Sequence, residues 1–197
     1  PLSSAHSAAL GALLRGVDAA AIDSRAALAR LPVTRKSELL ARQQASRAAG
    51  GDAFGGFSAV RYGPAMPRLY ASPGPIYEPE GTGRDYWRAA RAMYAAGFRA
   101  GDLAHNAFSY HMTPGAFIME SGAHAVGCTV FPAGTGQTEQ QLQAIADLRP
   151  QAYLGTPSFL RILVEKAAEA GSDIASLKKG LVGGEALPPS LRDWFGE

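Results

Sequence analysis

The chain has one cysteine, Cys128, in 197 residues. That excludes an internal disulfide and cannot by itself complete a zinc site, so a reducing compartment, the cytoplasm, is the expectation. No stretch approaches the roughly 20 apolar residues that span a bilayer, and no membrane crossing is predicted. The stretch SAALGALL near the start lacks the charged flank of a signal peptide. Basic runs are missing too: 19 Lys and Arg stand against 17 Asp and Glu, a formal charge of +2, and no run exceeds the pairs Arg35-Lys36 and Lys178-Lys179. A nucleic-acid partner would need a denser basic surface. Internal repeats and low-complexity tracts are absent as well.

What is present is 47% hydrophobic residues, enough to bury a core of one domain or one and a half. The chain opens at Pro1, and SLRDWFGE starts like an amphipathic helix and stops uncapped, so a fragment is expected. Residues 1–49 read as two or three short helices, one with Thr34 as N-cap candidate and Glu38 in its early turns. Residues 50–67 are Gly-rich and aperiodic, hence a loop or linker. From 68 to 197 the pattern becomes strand, helix, strand, helix. RLYA reads as a strand and 84–96 as a helix with Tyr86, Trp87, Ala90, Met93, Tyr94 and Gly97 on one face. Arg84, Arg88 and Arg91 would share the opposite, solvated face. Then come a strand in GDLAHNAFSY, a helix closed by Gly127, the strand CTVFPAG, a helix from Thr138 ended by Pro150, the strand QAYLG, a helix closed by Gly171 and the strand KGLVGGE. The expected fold is α/β, a largely parallel sheet with crossover helices on both faces after a short helical N-terminal segment. In such sheets ligands gather beyond the carboxyl ends of the strands, which are ASPG, FSYH, PAGTGQT, GTPS and GGEALPP.

The segments LPVTRKSEL, AAGFRAGDLAHNAFSYHMTPGAFIMESGAHAVGCTVFPAGTGQTEQQLQAIADLRPQAYLGTPSFLRIL and VGGEALPPSLR, in this order, resemble the phenylacetate-CoA ligase family of AMP-forming adenylating enzymes over residues 31 to 197. The resemblance implies ATP, magnesium and CoA as participants and a small, aromatic carboxylic acid as substrate. The acid attacks the α-phosphate of ATP, and the acyl-adenylate passes to the CoA thiol. The family's ribose-binding acid, hinge and adenylation lysine fall beyond Glu197, so residues 1–197 alone are expected to be catalytically inactive.

Carried onto this sequence, the resemblance makes His111 the catalytic candidate, an imidazole placed to orient or donate to the reacting carboxylate. Tyr110, Thr113, Pro114 and Gly115 would wall the acid pocket, Gly115 permitting close approach. Gly183, Gly184, Glu185 and Ala186 match the segment that packs on the nucleotide. Ser72 and Gly74 are what remains of the family's phosphate loop, expected between a strand and a helix. In the stretch SPGPIYEPEG, Pro73, Pro75 and Pro79 have no N–H to offer a phosphate. Glu78 and Glu80 repel one: a carboxylate about 4 Å from a phosphate charge costs roughly 4 kcal/mol at an effective dielectric near 20. Either phosphate is held elsewhere, with Glu78 or Glu80 free to hold magnesium, or the chain is a non-catalytic relative that binds an aromatic acid without using ATP.

Other residues read as structural. His105 lies inside an apolar strand as a hydrogen-bonded core residue. Thr156 is an N-cap, Cys128 a small hydrophobe, and Glu120 with His124 a surface pair. Self-association over an open sheet edge is a further expectation.

Overall fold

The computed structural model describes residues 6–196. The chain divides into two compact units between Thr82 and Gly83.

In the first unit, α1 (Ala8–Leu13) is capped by Ser7, whose Oγ accepts from the Leu10 N–H at 3.2 Å and donates to the Gly56 carbonyl at 2.8 Å. A 3-10 turn (Ala19–Ala21) and α2 (Arg25–Leu28) lead to α3 (Lys36–Ala48). Helix α3 starts one residue later than expected, with Arg35 rather than Thr34 at the N-cap, because Glu38 reaches back to the Arg35 N–H at 3.4 Å. Residues 50–67 form neither helix nor strand beyond an isolated bridge between Gly63 and Met66. They are nonetheless pinned: the Asp52 carboxylate accepts from the N–H groups of Phe54 and Gly56, and Phe54 is buried.

The largest correction to the sequence reading lies at residues 68–80. RLYA does not begin the α/β alternation. Instead β1 (Arg68–Ser72) pairs antiparallel with β2 (Ile76–Glu80) in a two-stranded sheet that belongs to the first unit. The stretch expected to run from strand to helix is therefore a hairpin turn and its return strand. The α/β portion accordingly begins after Thr82 rather than at residue 68. Two bonds tie the hairpin to α3. The buried side-chain amide of Gln43 donates to the Tyr77 carbonyl at 2.9 Å and accepts from the Tyr77 N–H at 2.8 Å. A Gln43→Leu substitution removes both bonds and leaves two part-buried backbone groups to find water. We expect a stability loss of roughly 2 kcal/mol, measured as a lower urea midpoint at unchanged slope. An unmoved midpoint would refute the clasp.

The second unit is the expected α/β fold. After α4 (Ala90–Ala95) come β3 (Leu103–Asn106), α5 (Gly115–Val126), β4 (Thr129–Phe131), α6 (Thr138–Leu148), β5 (Ala152–Gly155), α7 (Pro157–Ala170), β6 (Lys179–Val182) and α8 (Pro189–Trp194). The four strands are all parallel, in the order β4-β3-β5-β6. Strand alternation separates two cores. Ala152 and Leu154 face Met93, Phe98 and Ala123 of the α4–α5 layer. Tyr153 faces Leu142, Ile145 and Leu163 of the α6–α7 layer. Helix 84–96 is shorter than predicted: residues 84–87 turn, and Arg88 takes a left-handed φ of 62°, so the helix begins at Ala90. Of the three arginines expected on one helical face, only Arg91 is in the helix. At the amino ends of the strands, Lys179 pairs with Asp102 at 2.8 Å. Burial works to raise the Asp102 carboxyl, but the Lys179 hydrogen bond and the Arg99 N–H outweigh it and hold it below the usual range.

Candidate functional site

Because the strand order departs from β3 in both directions, the connections leaving β3 and β5 run to opposite faces, the topology in which α/β sheets take ligands at the carboxyl ends of these strands. The exit of β3 is built on Asn106, which is fully buried. Its Oδ1 accepts from the Phe108 N–H at 3.3 Å, and its Nδ2 donates to Tyr110 Oη at 2.9 Å and to the Ala116 carbonyl at 3.0 Å. The Tyr110 hydroxyl in turn donates to Glu120 Oε2 on α5 at 2.7 Å. Burial first, and the Glu120 carboxylate second, push the Tyr110 phenol far above its usual range, so it stays protonated. One amide thus ties a strand end, the returning segment and the start of a helix together. Sequence reasoning read Glu120 as half of a surface pair with His124; its partner is Tyr110.

His111 is exposed, and its imidazole has no partner among the described residues. Its backbone is fixed, however: its N–H donates to Ser109 Oγ at 3.1 Å, and its carbonyl accepts from the Thr113 N–H at 2.7 Å. Thr113 is partly buried, Pro114 sits at the N-cap of α5 without a side-chain cap bond, and Gly115 opens the helix. A Cβ on Gly115 would lie 3.6 Å from Phe108.

The tips of β5 and β6 reach the same place. The Gly183 N–H donates to the Gly155 carbonyl at 3.1 Å. Gly184 has a φ of 81°, and a Cβ there would lie 3.4 Å from Phe108 Cε1 and 3.6 Å from Thr156 Cγ2. Phe108, Thr156 and Gly184, one residue from each of three strand exits, therefore meet at one rim. Thr156 is the N-cap of α7, its Oγ1 accepting from the Phe159 N–H at 3.3 Å, as the sequence indicated. Glu185 is exposed, and its Oε1 accepts from the Ser158 N–H at 2.6 Å. The hydrogen bonds from Ser158 hold its carboxyl below the usual range. Ala186 is exposed beside it. The fourth exit, after β4, joins through the Gly134 N–H, which donates to the Asn106 carbonyl at 3.0 Å.

Ser72 and Gly74 are not on this sheet. Ser72 is buried in the hairpin, its Oγ 2.6 Å from Glu78 Oε1, and Gly74 precedes a cis bond to Pro75 in the exposed turn. Glu80 is buried against Tyr70 and forms an ion pair with Arg68 at 3.4 Å. Both glutamates are engaged. Among the described residues no group of three or more His, Cys, Asp or Glu could hold a metal ion. Two cavities lie elsewhere: about 580 Å³ in the first unit around Phe54, Arg61 and Tyr62, and about 590 Å³ between α4 and α5 around Arg91, Tyr94 and Arg99. Neither is lined by the residues expected to be catalytic, to wall the acid pocket or to bind the nucleotide. Asn106, Phe108 and Gln141 were missed; the polar Asn and aromatic Phe ending the apolar run LAHNAF were the available signal.

A parallel sheet with three strand exits sharing one rim places the second unit among α/β proteins that bind ligands beyond their strand ends. Comparison with known proteins narrows this. The family described as AMP-binding enzyme matches residues 84–197. The chain is 34% identical over 187 residues to a phenylacetate-coenzyme A ligase of Aromatoleum evansii, covering 90% of this chain and 40% of that protein. It is 31% identical over 188 residues to one of Thermus thermophilus, covering 90% and 39%. An open conformation of 2-hydroxyisobutyryl-CoA ligase, solved with 2-HIB-AMP and CoA, matches with a TM-score of 0.81 at 25% identity, over 98% of this chain and 44% of that one. The chain belongs to the AMP-binding enzyme family. It spans about two fifths of the length of the curated relatives it matches. Among the described residues no helix is long and apolar enough to cross a membrane.

Proposed function

We propose that the protein is an ATP-dependent, AMP-forming acyl- or aryl-CoA ligase, to which this chain contributes the acid-pocket wall and part of the nucleotide site. The meeting of Phe108, Thr156 and Gly184 at one rim carries the reading, since it gives an acyl-adenylate a single place to lie across the β3 and β6 exits. A carboxylate oxygen of the acid attacks the α-phosphorus of ATP, and the bond to pyrophosphate breaks. The CoA thiol then loses its proton, its sulfur attacks the acyl carbon, and AMP leaves. In this reading His111 orients the carboxylate by hydrogen bonding from a backbone held at both ends. The ring of Tyr110, with Thr113, Pro114 and Gly115, forms the wall for an aromatic acid. Gly183 and Gly184 offer a flat backbone to the base, with Glu185 and Ala186 at its edge. Ser72 and Gly74, the remnant of the family's phosphate loop, are open to a phosphate only once Ser72 leaves Glu78. The reaction is cytoplasmic in this proposal.

The Ser72–Glu78 bond favours a second reading: a non-catalytic relative that keeps an aromatic-acid pocket and has given up the phosphate loop. One measurement separates them. Pyrophosphate release by the full-length protein, with ATP, magnesium and a panel of aryl and acyl acids, is expected for at least one acid. His111→Ala is expected to lower that release at least tenfold. Acid binding without release for any acid would overturn the ligase.

A further inference from the structure

The sheet buries a histidine that the ligase chemistry does not use. His105 on β3 is 1% exposed, and its ring lies between its register partners, Phe131 on β4 and Tyr153 on β5, at centroid distances of 5.5 and 6.5 Å. Its Nε2 is 2.7 Å from Oε1 of Gln141 on α6. The orientation of that amide is fixed independently: Gln141 Nε2 donates to the Gly134 carbonyl at 2.9 Å and to the Gly136 carbonyl at 2.7 Å. With both amide hydrogens committed, Oε1 can only accept. The imidazole proton is therefore on Nε2, and Nδ1 is a bare acceptor. That Nδ1 is buried and has no hydrogen-bond partner. A second ring proton would sit there, out of contact with water and with nothing to receive it.

The turn at the other end of this relay needs holding. Gly134, Gly136 and Gln137 have φ of 72°, 73° and 52°, all left-handed, and Gln137 pays for it with a Cβ. Through the Gly134 N–H on the Asn106 carbonyl, the turn abuts the network that shapes the β3 exit. We propose that His105 and Gln141 are positioning residues for the Gly134–Gly136 turn, holding it at the strand-tip rim in one arrangement as long as the imidazole carries a single proton. The functional weight of the proposal rests on reading that rim as the ligand-binding end of the sheet.

The groups facing His105 carry no charge. From β5 the titratable neighbour is Tyr153, whose phenol is kept protonated by burial and by the Glu185 carboxylate. Strand β4 presents Phe131 and α6 the neutral Gln141. Burial lowers the His105 imidazole below its usual range, and the Gln141 bond opposes this without cancelling it. The sign follows: unfolded chains take up a proton as pH falls through about 6.5, while the folded ring does not. The hold on the turn is complete above that pH and is lost as pH falls through the lower folded value.

Long-range ¹H–¹⁵N correlation spectra of His105, recorded from pH 8 down to pH 4, test this together with the amides of Thr135 and Gln137, whose peptide carbonyls Gln141 holds. The expected result is an Nε2–H tautomer at neutral pH, titration below the usual imidazole range, and movement of the Thr135 and Gln137 amides at the same midpoint. In Gln141→Leu that common midpoint disappears, and exchange of the turn amides rises at least tenfold while the β5 amides keep their protection. An Nδ1–H tautomer, a His105 midpoint at the ordinary value, or turn amides indifferent to the ring would overturn the proposal. Should Gln141→Leu not fold, the wild-type titration decides alone. None of these readouts involves nucleotide or acid, so they stand whatever the pyrophosphate assay returns.

Discussion

Replacing Asn106 with leucine is expected to lower stability by about 3 kcal/mol and to release the segment after β3. The side chain is fully buried and makes three hydrogen bonds, to the Phe108 N–H, the Tyr110 hydroxyl and the Ala116 carbonyl. Leucine has similar volume, so the core does not collapse; the loss is in polar groups left unmatched at roughly 1–3 kcal/mol each, partly recovered where water enters. The Tyr110–Glu120 bond survives the change, so the segment loosens without detaching from α5. Denaturant titration gives the first quantity, and amide exchange at Phe108 the second. A loss under about 1 kcal/mol would mean that the bonds are incidental to the shape of the exit.

Gly122→Val should be comparably damaging for the opposite reason, too much matter rather than too few bonds. Helices α4 and α5 cross so closely that a Cβ on Gly122 would lie 2.7 Å from Ala89 Cβ and 3.0 Å from the Ala90 nitrogen. The obstacles are the Ala89 Cβ and the backbone beside it, none of which can rotate away. Overpacking of this kind costs about 3 kcal/mol at its upper end, a fall of roughly 6–12 °C in thermal midpoint for a chain of this size. Gly122→Ala gains about 1 kcal/mol of helix propensity but meets the same contact, so it should also destabilise, by less. A thermal midpoint equal to or above wild type in Gly122→Ala would show that the helices can part freely.

The parallel sheet could be read from the sequence because its strands are short apolar runs between amphipathic helices, each punctuated by a glycine such as Gly127 or Gly171. Those signals are local, and local chemistry enforced them. The hairpin was misread for the converse reason. Residues 72–81 were placed by analogy to a strand-to-helix loop, and the proline inside IYEPE, with a glutamate on the same face as Ile76, conceals the return strand. Arg88 stopped the following helix through a backbone angle that no residue type announces. The Asn106–Tyr110–Glu120 network could not be read from spacing, since separations of 4 and 10 residues come together only when the chain reverses over α5. Of the five strand ends expected together, FSYH, GTPS and GGEALPP adjoin Phe108, Thr156 and Gly184, PAGTGQT joins through the Gly134 N–H, and ASPG lies in the hairpin instead.

Strand register also explains Pro79 in that hairpin. Register pairs Ala71 with Tyr77 and Leu69 with Pro79, positions whose backbone groups point away from β1. Tyr77 has both of its groups taken by one glutamine, and Pro79 has no hydrogen to give. A foreign polypeptide laid along β2 would find almost nothing to ladder onto, so this flank is closed to cross-molecular pairing by the Gln43 amide of α3 and by the ring of Pro79.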